Sequence, residues 1–349
     1  MKKSSKIRKL VEDAVEQEDA VGELRKQIGK LERQLHKAKL EQSNLIEAVI
    51  EQLSNNPPRL VAPLAPKLGK VAAKEVAVLH LSDIQLGKVT ETYDTAKAEE
   101  RVMLACQKAV LITDIRRKST SIPEIHVYLG GDMIEGENIF STQAHEIDSS
   151  VYDQACVNGP GIFARAILYL LGKFDQVIVY TVPGNHGRNG PKNTNAHPRT
   201  NWDQVLYHTT KVLLLGTESN PRKELDGRLI FNLSERFWIV DPVFGWGNLL
   251  VHGHQISGGF AGFPWYGTAK KAWGWIDSLP EKWDNLFFGH FHTPTSMTLG
   301  PVRRAYANGT TESDNTFAQE QLAAAGRPCQ RLVFMNAEHG VVSDCLLYL

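Results

Sequence analysis

Cysteine is scarce in this chain: four residues in 349, at Cys106, Cys156, Cys329 and Cys345, with no Cys-x-x-Cys pair among them. That scatter excludes a zinc ribbon and a disulfide framework, and predicts four buried free thiols. Long hydrophobic runs are missing as well, since no stretch approaches the roughly 20 apolar residues of a membrane span. Met1-Lys2-Lys3 leads into mixed charge without the apolar core of a signal peptide. The expectation is a cytoplasmic protein with no membrane partner. Nor is there an excess of one charge, because 39 basic side chains meet 39 acidic ones. No global field then draws the chain to nucleic acid or acidic lipid, and any such contact has to come from a local patch. Internal repeats and low-complexity tracts are absent too.

What remains is ordinary globular composition, 42% apolar and 22% charged. The length implies one large domain with an appendage, or two domains. From Ile7 to Gln52 the apolar side chains Ile7, Leu10, Ala14, Val21, Leu24, Ile28, Leu31, Leu35, Ala38, Leu45 and Val49 hold one a/d register, broken only by Gln17, Gln42 and Gln52. A coiled-coil helix over 1–54 is predicted, weakened by the outward Gly22 and Gly29, with oligomerisation or docking on a partner as its task. Asn55-Asn56-Pro57-Pro58, Pro63 and Pro66 end it and make 55–74 a stiff linker. Residues 75–349 form the remaining domain.

That domain opens with three strand-then-polar-turn units. Val76–Leu81 delivers Ser82-Asp83-Ile84-Gln85, Ile125–Leu129 opens onto Gly130-Gly131-Asp132, and Val177–Val182 onto Pro183-Gly184-Asn185-His186. Helical stretches near 94–118 and 151–173 separate them, which argues for an α/β sheet with ligands at its C-terminal edge. After a helix over 202–215 the chain reads as mostly β. Val251 ends one run on His252-Gly253-His254, and Phe287-Phe288 ends another on Gly289-His290-Phe291-His292. The intervening 255–284 is rich in Gly, Trp and Lys. Two strands, 331–335 and 341–347, close the chain.

Each turn carries carboxylate, amide or imidazole, and the set suits phosphate-ester hydrolysis. Two divalent ions about 3.5–4 Å apart acidify a water, neutralise phosphate oxygens and stabilise the leaving oxygen. Asp132 suits a bridging carboxylate; Asp83, Gln85, Asn185, His252, His290 and His292 suit the remaining ligand positions. His186 is placed to protonate the leaving group. The nearby Arg188, Lys192, His197 and Arg199 offer phosphate contacts, His254 a further substrate contact, and Trp273 and Trp275 with Lys270 and Lys271 a surface for stacking bases.

The series Asp-x-Gln, Gly-Asp, Gly-Asn-His, His-x-His and Gly-His-x-His resembles the calcineurin-like metallophosphoesterases over residues 75–340, and among these the SbcD-type DNA-repair exonucleases and related phage phosphoesterases. The resemblance implies a four-layer α/β/β/α sandwich and a dinuclear centre of Mn, with Mg, Fe or Zn as alternatives. It puts Asp83, Gln85, Asp132 and His292 on the first ion, Asp132, Asn185, His252 and His290 on the second, and His186 in the catalytic role. Two departures stand out: Gln85 replaces the usual histidine, an amide being a weaker ligand, and Gly187 replaces an acidic residue that would support the loop. Three expectations remain open. The first is a metal-dependent nuclease acting on DNA; the second a phosphomonoesterase or small-molecule phosphodiesterase. The third is a non-catalytic docking protein that works through its coil, paired with a copy of itself or with a coiled-coil ATPase.

Overall fold

The computed structural model describes residues 74–137, 139, 143–190, 197–258, 263–314 and 327–349, together with positions 26, 27, 29, 30, 33, 34, 51, 63 and 64. The chain divides into two units, Met1–Asn55 and Asn56–Leu349. The first is described at seven helical positions, so most of the expected coil over 7–52 and most of the linker lie outside the described residues.

In chain order the second unit runs β1 (Lys74–Leu81), α1 (Thr95–Arg116), β2 (Ser121–Leu129), α2 (Gly159–Leu171), β3 (Gln176–Thr181) and α3 (Trp202–Leu215). A two-residue pair follows, β4 (Gly216–Thr217) and β5 (Asn220–Pro221), then β6 (Leu229–Leu233), β7 (Trp238–Val243), β8 (Trp246–Val251) and α4 (Trp265–Ser278). The rest is β9 (Asn285–Phe288), β10 (Thr295–Thr298), β11 (Arg304–Ala307), β12 (Cys329–Asn336) and β13 (Gly340–Tyr348). Six strands form one sheet in the order β13-β12-β1-β2-β3-β6, and five form another in the order β10-β11-β9-β8-β7. Strands β1, β2, β3 and β6 are parallel, and so are β8, β9 and β11. Parallel neighbours end on the same edge, and two such edges supply the site.

The sequence explains why these elements form. Strand β1 is buried at every position after Lys74, the near-continuous apolar run of a strand covered on both faces. Asp94 caps α1 by accepting a hydrogen bond from Lys97 N at 2.7 Å. The buried residues of that helix, Ala98, Val102, Ala105, Cys106, Ala109, Val110 and Thr113, recur at helical spacing. In the second sheet the side chains alternate. Leu250, Phe287 and Tyr306 join Val76, Val78, Tyr128 and Val333 of the first sheet in a common core. Leu249, Val251, Leu286, Phe288 and Ala305 face the other way and cluster with Ala272 and Trp275 of α4. Each fully buried large side chain contributes about 1.5–3 kcal/mol.

Two expectations change, and helix α4 lies within the stretch 255–284 that is rich in Gly, Trp and Lys. It tolerates Gly267 because a Cβ there would overlap the carbonyl oxygen of Ser257, a close approach that only glycine permits. Trp275 belongs to the core cluster, while Trp273 is exposed, so the two do not share a stacking surface. The four cysteines are free, but only Cys106 and Cys329 are buried; Cys156 and Cys345 are half-exposed. Among the described residues no helix is long and apolar enough to cross a membrane.

Candidate metal centre

Loops leaving the parallel strand ends are laced together by their backbones. Asp83 N donates to Gly131 O at 3.1 Å, Gln85 N to Asp132 O at 2.9 Å, and Gly289 N to His252 O at 2.8 Å. Seven described non-glycine residues have positive φ, and five of them are Asp83, Gln85, Asp132, His290 and His292. Left-handed backbone in such residues costs of order 1–3 kcal/mol each and persists where surrounding contacts impose it, as at binding sites.

Ligand-type atoms of Asp132, His252 and His290 lie within 4.8 Å of one another. His252 Nε2 is 2.8 Å from Asp132 Oδ2 and 3.1 Å from Asn185 Oδ1. Its other nitrogen, Nδ1, lies 2.9 Å from Gly130 O. A carbonyl can only accept, so Nδ1 carries the hydrogen and Nε2 presents its lone pair to the cluster when the ring is neutral. A second group adjoins the first: His292 Nε2 stands 3.4 Å from Asp83 Oδ1 and 3.1 Å from the Gln85 amide nitrogen. His290 N donates to Asp83 Oδ1 at 2.8 Å, tying the two groups.

His186 sits beside Asp132, with its backbone N–H donating to Asp132 Oδ1 at 2.7 Å and its Nε2 at 3.9 Å from Asp132 Oδ2. Behind it, Nδ1 meets Glu135 O at 3.0 Å and Glu135 Oε2 at 3.2 Å. This corrects the expectation drawn from Gly187. The carboxylate that supports the histidine comes from the preceding loop, and residue 187 must be small because a Cβ there would overlap Asn201 Oδ1.

Electrostatics bind these groups into one system. Burial alone would raise the Asp132 carboxyl, yet the imidazoles of His252 and His186 hold it below the usual carboxylate range. Burial opposes charge on His186 and is outweighed by Asp132 and Glu135, which push it up to about 10. His252 rises to about 9 against burial, chiefly through Asp132. His290 is pushed the other way, first by burial and then by the His252 charge. Buried oxygen and imidazole donors that converge, some with their outer nitrogens already engaged, fit divalent ions.

Of the other expected contacts, His254 is near, its ring 5.5 Å from that of His252 and 6.3 Å from that of His290. Arg188 is half-buried, and its Nε is buried without a hydrogen-bond partner. Arg199 instead pairs with Glu235 at 3.0 Å on the exposed surface, and Lys192 lies outside the described residues. Three carboxylates escaped sequence reasoning: Glu135, Glu312, and Asp203, which accepts from Asp132 N, Met133 N and Gly184 N. Only Glu135 left a signal, three residues beyond Asp132 in the same loop.

No family model matches the sequence, and no curated protein does either. Solved structures resemble the chain at low identity. One is a conserved uncharacterised protein of Streptococcus pneumoniae described as a predicted phosphoesterase, 10% identical over 79% of this chain and 99% of that one, with a TM-score of 0.30. Another is Vps29 of Entamoeba histolytica complexed with zinc, 11% identical over 78% and 99%, with a TM-score of 0.33. A third is the phosphopantetheinyl hydrolase of Mycobacterium tuberculosis, 12% identical over 68% and 90%, with a TM-score of 0.29. Likeness at this level carries no argument; the chemistry of the site rests on its own side chains.

Proposed function

We propose that this chain is a calcineurin-like, dinuclear metal-dependent phosphoesterase with α/β/β/α layering that hydrolyses phosphodiester bonds, DNA being its substrate. The observation that carries the reading is the convergence of Asp132, His252 and His290 within 4.8 Å, flanked by Asp83, Gln85 and His292 on one side and His186 on the other. Asp83, Gln85, Asp132 and His292 would hold one ion, and Asp132, Asn185, His252 and His290 its neighbour. When bound, such a pair supplies Lewis acidity to phosphate oxygens and to an attacking water.

The remaining steps belong to this chain's own side chains. Glu135 fixes His186 through Nδ1, so Nε2 faces the cluster with a proton to give to a leaving alkoxide. The guanidinium of Arg188, with its buried Nε lacking a partner, suits a phosphate oxygen. A polymeric substrate is favoured by α4, which exposes Trp265, Tyr266 and Trp273 together with Lys270 and Lys271. Trp265 connects to the site through rings: it lies 4.8 Å from Phe263, which is 5.5 Å from Phe291, which is 5.0 Å from His290. Aromatic faces and free ammonium groups are what single strands stack on and pair with.

The test is hydrolysis of linear single- and double-stranded DNA beside a simple phosphodiester and a phosphomonoester, with Mn, Mg or Zn added. Cleavage of DNA and diester that disappears in Asp132→Ala and His186→Ala is the expected result. Preference for the monoester would replace the proposal with a phosphatase, and no turnover with no bound metal would replace it with a docking protein.

A further inference from the structure

Glu312 is a buried glutamate, 3% exposed, and nothing in the phosphoesterase reading requires it. Its position is built. The segment leaving β11 is stitched to the segment leaving β1: Asn308 Nδ2 donates to His80 O at 3.0 Å and to Ser82 Oγ at 3.1 Å. Thr310 Oγ1 donates to Asp83 O at 2.7 Å, and Thr311 Oγ1 to Ile84 O at 3.1 Å. Glu312 N donates back to Thr310 Oγ1 at 3.0 Å. These bonds run alongside Asp83 and Gln85, and they bring the Glu312 carboxylate to 3.0 Å from His292 Nδ1.

The opposite nitrogen of the same ring, Nε2, is the one near Asp83 and Gln85. Glu312 therefore stands behind the imidazole and not among the ligand atoms. A carboxylate accepts, so it keeps the hydrogen of the neutral ring on Nδ1, leaves the lone pair on Nε2, and increases the donor strength of that nitrogen. Burying a carboxylate without such a partner is costly, which gives the pair a physical reason to exist. Among the described residues, the group behind His252 is the neutral carbonyl of Gly130, so the two histidines differ in the group that supports them. The stronger support falls where Gln85 brings an amide, the weaker type of ligand.

We propose that Glu312 is the positioning residue of His292, setting its tautomer and donor strength for a divalent ion held with Asp83 and Gln85, and so offsetting the weak Gln85 amide. This rests on the dinuclear reading above and deepens it. The test is calorimetric titration of metal-free full-length protein with Mn, together with thermal melts in chelator. Wild-type protein binds two ions. Glu312→Gln weakens one of them about 10–100-fold and leaves the other unchanged, and adds little on top of His292→Ala because both act on the same ion. Glu312→Asp, which keeps the charge but withdraws it by one methylene, weakens that ion by a smaller factor.

Wild-type affinity for both ions in whichever of the two Glu312 variants folds would overturn the proposal, even if the chelated melting temperature had dropped, because that is the result of a merely structural role. Full additivity with His292→Ala would overturn it too. Failure of the wild type to take up two ions is a different result: it removes the dinuclear reading, and this inference with it.

Discussion

A single carboxylate oxygen, Asp203 Oδ2, accepts hydrogen bonds from the backbone N–H groups of Asp132 at 2.9 Å and Gly184 at 2.8 Å. Asp203 lies in the first turn of α3, and Asn201, the cap of that helix, adds a bond from its Nδ2 to Gly184 O at 2.7 Å. The two loops that carry Asp132 and His186 are thus clamped to one helix end.

Replacing Asp203 with alanine strips four buried backbone donors, the N–H groups of Asp132, Met133, Ile134 and Gly184, of their acceptor, each worth about 1–3 kcal/mol when left unsatisfied. The expected outcome is a loss of several kcal/mol in denaturant unfolding, together with loss of Mn binding. Asp203→Asn keeps one acceptor oxygen and should cost less. Equal stability of Asp203→Ala and wild type would mean that water reaches the loop and replaces the carboxylate.

Glu135→Gln removes the charge behind His186 while keeping its shape. Turnover of a phosphodiester should fall about 10–100-fold, with metal content unchanged, because Glu135 touches the histidine and not the converging ligand atoms. Parallel assays of rate and bound metal check this; loss of metal in proportion to rate would assign Glu135 a ligand's role instead.

The ligand-type residues were legible because each follows an apolar run that could only be a buried strand, and because carboxylate, amide and imidazole recur there in one order. Their supports were not. Asp203 reads locally as an ordinary acidic residue in a first helical turn, and Glu312 as one polar residue in a polar loop; both acquire meaning only when sheet topology brings distant strand ends together. Strands β10 and β11 were missed because Thr-Ser-Met-Thr and Arg-Ala-Tyr-Ala lack a hydrophobic run, their pairing being set by tertiary context. Helix α4 was obscured by Gly267 and Gly274.

Gly184→Ala tests how tightly the loops are packed. A Cβ at Gly184 would overlap both Oδ1 and the backbone nitrogen of Asp132, and neither can yield without moving the centre. The expected cost is about 1–3 kcal/mol of stability, with metal binding lost before the fold is. Gly274→Ala is the control, since a Cβ there meets nothing within 4 Å; it should be neutral or slightly stabilising in the same melts.

Away from the centre, His126 of β2 makes a buried ionic cluster whose titration should be visible in stability. Its Nδ1 lies 2.5 Å from Asp241 Oδ2 and its Nε2 2.6 Å from Glu124 Oε1, while Tyr128 donates to the same Asp241 oxygen at 2.6 Å. Burial acts to lower the imidazole, but the two carboxylates outweigh it and push it up to about 9 from 6.5. A histidine raised on folding stabilises most when protonated. Its contribution is whole below pH 6.5 and drains away as pH rises through 9, a difference of about 3 kcal/mol at about 1.4 kcal/mol per pH unit. Melting temperature measured from pH 6 to 9.5 should fall across that window. Asp241→Asn should lower it most at the acid end and little at pH 9.5, where the histidine no longer carries charge. A wild-type curve flat between pH 6.5 and 9 would show that His126 stays neutral and that its partners act only as hydrogen-bond acceptors.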